Sequence, residues 1–344
     1  MKILVTGGAG FIGSDVIRAA IRQGHSVLNL DALTYAACLE NLREVEDRPN
    51  YFFKKCDIRK KQDLNEIIDS YAPDCMIHLA AESHVDKSIN IPSDFIDTNI
   101  LGTFNLLEAA RAYWTSKDYF SQFRFVHVST DEVYGSLPLN TNRKFNEESS
   151  YNPNSPYSAS KAASDHLARA WHKTYNLPTI ITNCSNNYGP FQYPEKLIPV
   201  TIINALEGKQ IPVYGDGLNV RDWLHVSDHS AAILKILKEG KPGKNYSIGG
   251  DNEYSNIALV SKICQKLEDI KPRIKGHYSD LIKYVDDRLG HDRRYAIDSA
   301  RLRSELQWKP LIDFESGIDE TIKWYINNQP WCRQVSKKRI KISQ

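Results

Sequence analysis

The hydrophobic pattern divides the chain into two unlike halves. In the first, short uninterrupted apolar runs alternate with longer segments of helical period. Lys2–Thr6 is an apolar run closed by glycines, and it predicts a buried strand. Residues 11–23 predict a helix that stops at Gly24, a residue suited to left-handed backbone geometry. Further strands are expected at 26–30, 51–54, 75–79 and 125–129, and long helices at 98–113 and 155–175. Strands separated by helical segments imply crossover connections and a parallel sheet. Helices on both faces would account for strands that are apolar throughout rather than alternating. The second half is punctuated by Gly189-Pro190, Pro194, Pro199, Gly208, Pro212, Gly215 and Gly217, and it predicts short strands and helices in mixed order.

The glycines after the first strand change the picture from fold to chemistry. Gly7, Gly10 and Gly13 stand in GxxGxxG spacing between that strand and the first helix. The first glycine permits a tight turn, the second lets backbone approach a pyrophosphate, and the third lets helix pack on strand. The free N–H groups of the helix N-terminus then face the phosphates. Asp31 follows 18 residues after Gly13, at the end of the second strand. A carboxylate there accepts from a ribose 2′-hydroxyl and repels a 2′-phosphate, which favours NAD over NADP. Asp57 and Ile58, after the third strand, are placed to meet an adenine. The expected fold class is therefore α/β: a doubly wound parallel sheet of the Rossmann type, with a smaller mixed α/β substrate-binding region toward the C-terminus. The expected division is 1–185 for the dinucleotide domain with the catalytic residues and 186–330 for a substrate region interleaved with the last sheet strands. Residues 331–344 read as a basic, solvated tail carrying Lys337, Lys338, Arg339 and Lys341.

Composition narrows the function by exclusion. With 44 basic and 42 acidic residues the net charge is +2, no footprint for nucleic acid. No apolar run is long enough for a membrane span. The first strand begins at Lys2, leaving no room for a cleavable leader. The six cysteines form no CxxC pair, so no metal site is expected, and they suit reduced thiols in the cytoplasm.

Two clusters carry candidate catalysis. Tyr157 and Lys161 are spaced to share one face of a helix that Ser155 and Pro156 would start. A nearby ammonium stabilises phenolate, so the tyrosine could act as a base toward a hydroxyl. Thr130, Asp131 and Glu132 follow the fifth strand, where open parallel sheets place their ligands. Adjacent carboxylates in one pocket oppose joint ionisation, so one can serve as acid and the other as base. His84 reads equally as a base or as a hydrogen-bonded structural histidine.

The glycine motif, Tyr157 with Lys161, and the run Asn186-Asn187-Tyr188-Gly189-Pro190 resemble the extended short-chain dehydrogenase/reductase family. The adjacent Asp131-Glu132 resembles its sugar-nucleotide 4,6-dehydratase branch. So do Leu33-Thr34-Tyr35, the run from His78 to Asp86, Arg221-Asp222-Trp223 and the run from His291 to Tyr295. Ala37-Cys38 stands where the family has Gly-Asn, and Leu289 where it has Pro.

The resemblance implies a bound, regenerated NAD, a dTDP-glucose substrate and a homodimer. It makes Tyr157 the base at O4, tuned by Lys161 and assisted by Thr130. Glu132 becomes the base at C5 and Asp131 the acid at O6. It implies cofactor contacts from Phe11, Ile12, Ala32, Leu33, Thr34, Leu79, Ala80, Ala81, Thr98 and Asn187. It implies substrate contacts from Ser83, Asn186, Lys196, Leu197, Pro212, Val213, Tyr214, Asn256 and Asp287, with Arg221, Arg288 and His291 at the diphosphate. Two alternatives remain: a UDP-sugar 4-epimerase or decarboxylase of the same fold, and a dinucleotide sensor without catalysis.

Overall fold

The computed structural model describes the backbone of residues 1–342 and the side chains of 1–335. Twelve strands are seen among the described residues: β1 (Lys2–Thr6), β2 (Ser26–Asp31), β3 (Tyr51–Lys55), β4 (Cys75–His78), β5 (Arg124–Thr130), β6 (Thr179–Cys184), β7 (Asn186–Tyr188), β8 (Ile211–Tyr214), β9 (Val220–His225), β10 (Asn245–Ile248), β11 (Glu253–Ser255) and β12 (Ile282–Val285). Seven of them form one sheet in the order β3-β2-β1-β4-β5-β6-β10, and every pair is parallel. The expected doubly wound sheet is therefore present, and its last strand comes from the second half of the chain.

The two-residue period of a strand explains how one sheet serves two cores. On β1, Ile3 and Val5 join the cluster with Val16, Ile17 and Ala20 of the first helix and Ile233 and Ile236 of helix Val226–Glu239. Leu4 points the other way, toward Leu64, Ile68, Leu106 and Ala110. A third cluster belongs to the second half, where Ile198, Ile202, Trp223, Leu259, Ile263 and Ile322 meet under the small sheets β11-β9-β7 and β12-β8.

Three expectations need correction. The 51–54 strand is the sheet edge rather than a buried strand, and Phe52 and Phe53 are exposed on it. The 98–113 helix begins as wider π-helical turns over Ile96–Gly102 before Thr103–Ser116. There Asn99 leaves the helix surface to pair with the Glu82 backbone, at 2.9 Å from Glu82 N and 3.0 Å to Glu82 O. Finally, residues 331–335 are not tail. Helix Gln329–Ile342 buries Trp331, Cys332 and Val335 in the third core, and the Trp331 indole donates to Asn41 Oδ1 at 3.0 Å. The side chains of Lys337, Lys338, Arg339 and Lys341 lie outside the described residues.

No helix among the described residues is long and apolar enough to cross a membrane. All six cysteines are buried and unpaired.

Trp331→Ala should lower the unfolding free energy by about 3 kcal/mol or more, as large-to-small changes in packed cores do. Urea denaturation of the purified protein measures this, and an unchanged midpoint would mean the helix is not part of the core.

Candidate active site

The site is built where β1 and β4 diverge at the centre of the sheet. Chain connections leave these neighbouring strands in opposite directions, so a crevice opens at their carboxyl ends. Gly7 turns there with φ +73°, and a Cβ on it would sit 2.6 Å from the Ala80 backbone nitrogen. A side chain at position 7 would therefore collide with the backbone after β4 and force the two apart. Helix Phe11–Arg22 starts at Gly10, whose N–H reaches Gly7 O at 3.2 Å, so its first N–H groups face the opening. Asp31 accepts from Ala9 N at 2.9 Å and Leu33 N at 2.7 Å. Burial pushes its carboxyl up, and those two bonds oppose the shift.

A cavity of about 570 Å³ runs from this turn to the ends of β5 and β6. Among the predicted cofactor residues, Gly7, Gly10, Phe11, Ile12, Gly13, Asp31, Ala32 and Thr34 line it on one side. Asp57, Ile58, Leu79, Ala80, Ala81, Thr98, Tyr157, Lys161 and Asn187 complete that set. A lining that reaches from the glycine turn to the ends of β5 and β6 fits a dinucleotide. Leu33 does not line the cavity. It supports Asp31 from a left-handed backbone, φ +57°. Ser83, Thr130, Asp131, Glu132, Asn186 and Lys196 also line it, at the end away from the glycine turn.

Tyr157 and Lys161 are positioned by a capped helix. Ser155 Oγ accepts from Ser158 N and Ser158 Oγ accepts from Ser155 N, both at 3.0 Å, and Pro156 opens helix Pro156–Tyr175. The Lys161 ammonium donates to the Val128 carbonyl at 2.8 Å. Burial lifts the Tyr157 phenol well above its ordinary value, Glu132 and Cys184 add to that, and a bond with Thr130 opposes it. Desolvation thus outweighs the lowering expected from Lys161, whose ammonium offsets that cost only in part.

The two carboxylates sit on a short 3-10 turn, Asp131–Tyr134, capped by Thr130. Their surroundings differ. Asp131 is buried, and burial together with the Glu132 and Asp222 charges raises its carboxyl well above the usual range. Glu132 lines the cavity and is also raised by burial, but Arg288, Arg221 and Lys196 pull it back toward ionisation. Both carboxyls are therefore raised, Asp131 well above the usual range with Arg221 opposing, and Glu132 against the pull of Arg288, Arg221 and Lys196.

The remaining predicted substrate residues fall outside the cavity lining, and several are brought together beside it. Arg221 is buried over the Tyr295 ring at 4.2 Å and donates to Val220 O at 2.8 Å and Asp292 O at 2.9 Å. Arg288 lies 3.8 Å from Asp86, and His291 Nδ1 stands 2.6 Å from Asp287. With Lys196, the two arginines form the cationic wall facing Glu132. Pro212, Val213 and Tyr214 form β8 against β12, and the Val213 side chain is core rather than lining. Leu197 starts helix Leu197–Leu206 and Asn256 starts helix Asn256–Ile270, neither in the cavity wall.

Residues missed from the sequence also line the cavity: Arg59, Glu82, Lys87, Ser185, Gln192, Tyr193 and Glu195. Several join loops far apart in the chain. Tyr35 OH donates to Glu195 at 3.0 Å, His84 Nε2 lies 3.6 Å from Glu195, and Lys87 pairs with Glu82 at 3.0 Å while standing 4.9 Å over the Tyr35 ring. Tyr35 had a local signal through its neighbours Leu33 and Thr34, and Glu82 and His84 through the run from His78 to Asp86. Among the described residues no group of His, Cys, Asp or Glu side chains is arranged to hold a metal ion.

Comparison with known proteins agrees with this geometry. Residues 4–321 match the family model described as GDP-mannose 4,6 dehydratase. A curated dTDP-glucose 4,6-dehydratase of Neisseria meningitidis is 56% identical over 97% of this chain and 96% of its own length. The crystal structure of a dTDP-glucose 4,6-dehydratase from Streptomyces venezuelae, with NAD and TDP bound, superposes with a TM-score of 0.90 at 42% identity, covering 97% of this chain and all of the other. A UDP-glucose 4-epimerase of Thermotoga maritima shares the fold at a TM-score of 0.83 but only 27% identity, covering 96% of this chain and 100% of that one. At these identities over nearly its full length, the chain belongs to the nucleotide-sugar 4,6-dehydratase family whose model it matches, on the branch of the dTDP-glucose enzymes.

Proposed function

We propose that this protein converts dTDP-glucose into dTDP-4-keto-6-deoxyglucose and water, using a tightly held NAD. The observation that carries the reading is the pair Asp131 and Glu132, adjacent in sequence, in one cavity with Tyr157, and with different sets of neighbouring charges. NAD, when bound, accepts hydride from C4 and returns it to C6. The glycine turn and Asp31 would hold its diphosphate and adenosine ribose, and Tyr157, Lys161 and Asn187 would lie toward its nicotinamide end.

Each remaining step asks for one side chain. Tyr157 takes the proton of the C4 hydroxyl, with Thr130 bonded at O4. The resulting ketone acidifies the C5 proton, which Glu132 removes. Asp131, kept protonated by its burial, donates to the C6 hydroxyl so that it departs as water. Glu132 gives its proton back to C5 as hydride returns to C6, and the proton taken from O4 balances the one Asp131 gave. Arg221 and Arg288 supply the cationic forks for the substrate diphosphate, with Lys196 and His291 beside them. Epimerisation at C4 requires neither the base at C5 nor the acid at O6. The deoxysugar product would feed surface-polysaccharide synthesis. Six buried, unpaired thiols suit a cytoplasmic setting.

Purified protein incubated with dTDP-glucose, without added NAD, should give a product lighter by one water. An unchanged mass after NAD and other nucleotide sugars have also been supplied would overturn the dehydratase reading, and a sugar epimer of unchanged mass would establish the rival.

Glu132→Gln should oxidise C4 yet stop before water loss. Reduced nicotinamide would then accumulate on the protein, visible by its near-ultraviolet absorbance, with turnover lower by about two orders of magnitude or more. Normal turnover would remove Glu132 from the base role.

The partner expected is a second copy of this chain. Helical segments 96–116 and 156–175 leave Ile96, Leu101 and Tyr175 exposed, apolar surface of the kind that a homodimer covers. Sedimentation at micromolar concentration should give twice the 39.2 kDa chain mass, and a monomer alone would overturn this.

A further inference from the structure

Asp165 is fully buried, and none of the steps above uses it. It lies on helix Pro156–Tyr175, one turn beyond Lys161 and two beyond Tyr157. Four groups converge on its carboxylate. His127 Nε2 approaches Oδ1 at 3.0 Å, while Oδ2 accepts from Ser129 Oγ at 2.9 Å, Tyr151 OH at 2.9 Å and Asn183 Nδ2 at 3.1 Å. These donors come from β5, β6 and the loop ahead of the helix, so one side chain ties the catalytic helix to two strands.

A carboxylate this deep persists as an anion only with its lone pairs filled and a cation near. The candidates can be taken element by element. On β5, burial holds His127 below its ordinary value, and on β4 it does the same for His78, so both imidazoles are neutral at neutral pH. On β6, burial raises the Cys184 thiol, which stays uncharged. Burial likewise raises the phenols of Tyr134 and Tyr151. On the helix itself Arg169 stands 5.9 Å over the Tyr151 ring but is exposed, so Lys161 is left as the buried positive charge. Burial lowers its ammonium and Asp165 draws it back up, while the bonds from His127 and Ser129 and the Lys161 charge hold the Asp165 carboxyl below the usual range despite burial.

We propose that Asp165 is a positioning residue for the oxidation step: it is the fixed counter-charge that keeps the Lys161 side chain an ammonium and locks the Tyr157 helix to β5 and β6. It touches neither substrate nor cofactor and acts through Lys161. A cationic Lys161 matters because the phenol that must become a phenolate is itself desolvated, and a positive charge nearby offsets that cost. The inference rests on the roles given above to Tyr157 and Lys161.

The test isolates oxidation in the Glu132→Gln protein, following reduced nicotinamide in a single turnover with dTDP-glucose across pH. Asp165→Asn keeps the shape and removes the charge. Losing the anion lowers the Lys161 pKa, so the alkaline loss of rate should move to lower pH by about one unit, a roughly tenfold change in the Lys161 equilibrium, with the plateau below it kept. Ser129→Ala removes a neutral bond to Asp165 and should leave that limb in place. A rate reduced equally at every pH, with the limb unmoved, gives Asp165 a packing role only and overturns the inference. If Asp165→Asn does not fold, Lys161→Met is added to it: a folded double variant supports the charge pairing, and an unfolded one overturns it. A Glu132→Gln parent that forms no reduced nicotinamide overturns the dehydratase reading and this inference together, whereas a competent parent with an unmoved limb overturns the inference alone.

Discussion

The close approach of the Gly7 turn to Ala80 is the constraint on which the rest of the site depends. It occurs where the sheet order reverses, between β1 and β4, and it leaves no room for a side chain. Because all seven strands are parallel, their carboxyl ends lie on one edge, and every loop that leaves that edge faces the same crevice. The glycine turn, the Asp31 loop, residues 79–83, the Thr130 turn and residues 184–187 are thereby gathered into one cavity without any of them being near another in sequence. A side chain at position 7 would disturb the whole lining, because it would push β4 from β1.

Within the cavity, charge is sorted by depth. Asp131 faces Asp222 and its own neighbour and has little solvent, so the neutral acid is favoured. Glu132, one residue on, is turned to a wall of three cations. A 3-10 turn advances each residue by a third of a revolution, so consecutive side chains look into different surroundings. That local geometry is why two adjacent carboxyls meet different sets of neighbouring charges. The same turn is capped by Thr130, so the group proposed to bond at O4 also fixes the turn that carries both carboxylates.

Much of this was legible in the sequence because it depends on local spacing. The glycine turn, Asp31, Tyr157 with Lys161, and Ser155-Pro156 all express rules that act within a few residues, and the sheet follows from alternation and crossover handedness. What was not legible depends on tertiary meetings. Glu195 reaches Tyr35 across 160 positions of sequence, and nothing near either residue announces the pair. The edge position of β3 was hidden because its Tyr-Phe-Phe run is as apolar as a central strand. The C-terminal helix was hidden for the opposite reason: Trp331, Cys332 and Val335 carry a core pattern, but the lysines and arginine after them outweighed it.

The contacts between distant loops bear on how the proposed chemistry is contained. A cofactor that is reduced and reoxidised within one turnover gains nothing by leaving, and an exposed intermediate would be lost to water. Tyr35, Glu195, His84, Lys87 and Glu82 join the loop after β2, the loop after β4 and the segment after β7 across the cavity. Burial and the Glu195 carboxylate keep the Tyr35 phenol far above its ordinary value, so it remains a donor to Glu195 at any physiological pH. Tyr193 stacks edge-on against Tyr35 at 5.5 Å and donates to the Val335 carbonyl at 3.2 Å, which connects this junction to the C-terminal helix. The helix that looked like a solvated tail thus braces the wall between the glycine-turn end of the cavity and the end that carries Glu132, and the packing of the second half of the chain becomes part of how the first half shapes the cavity.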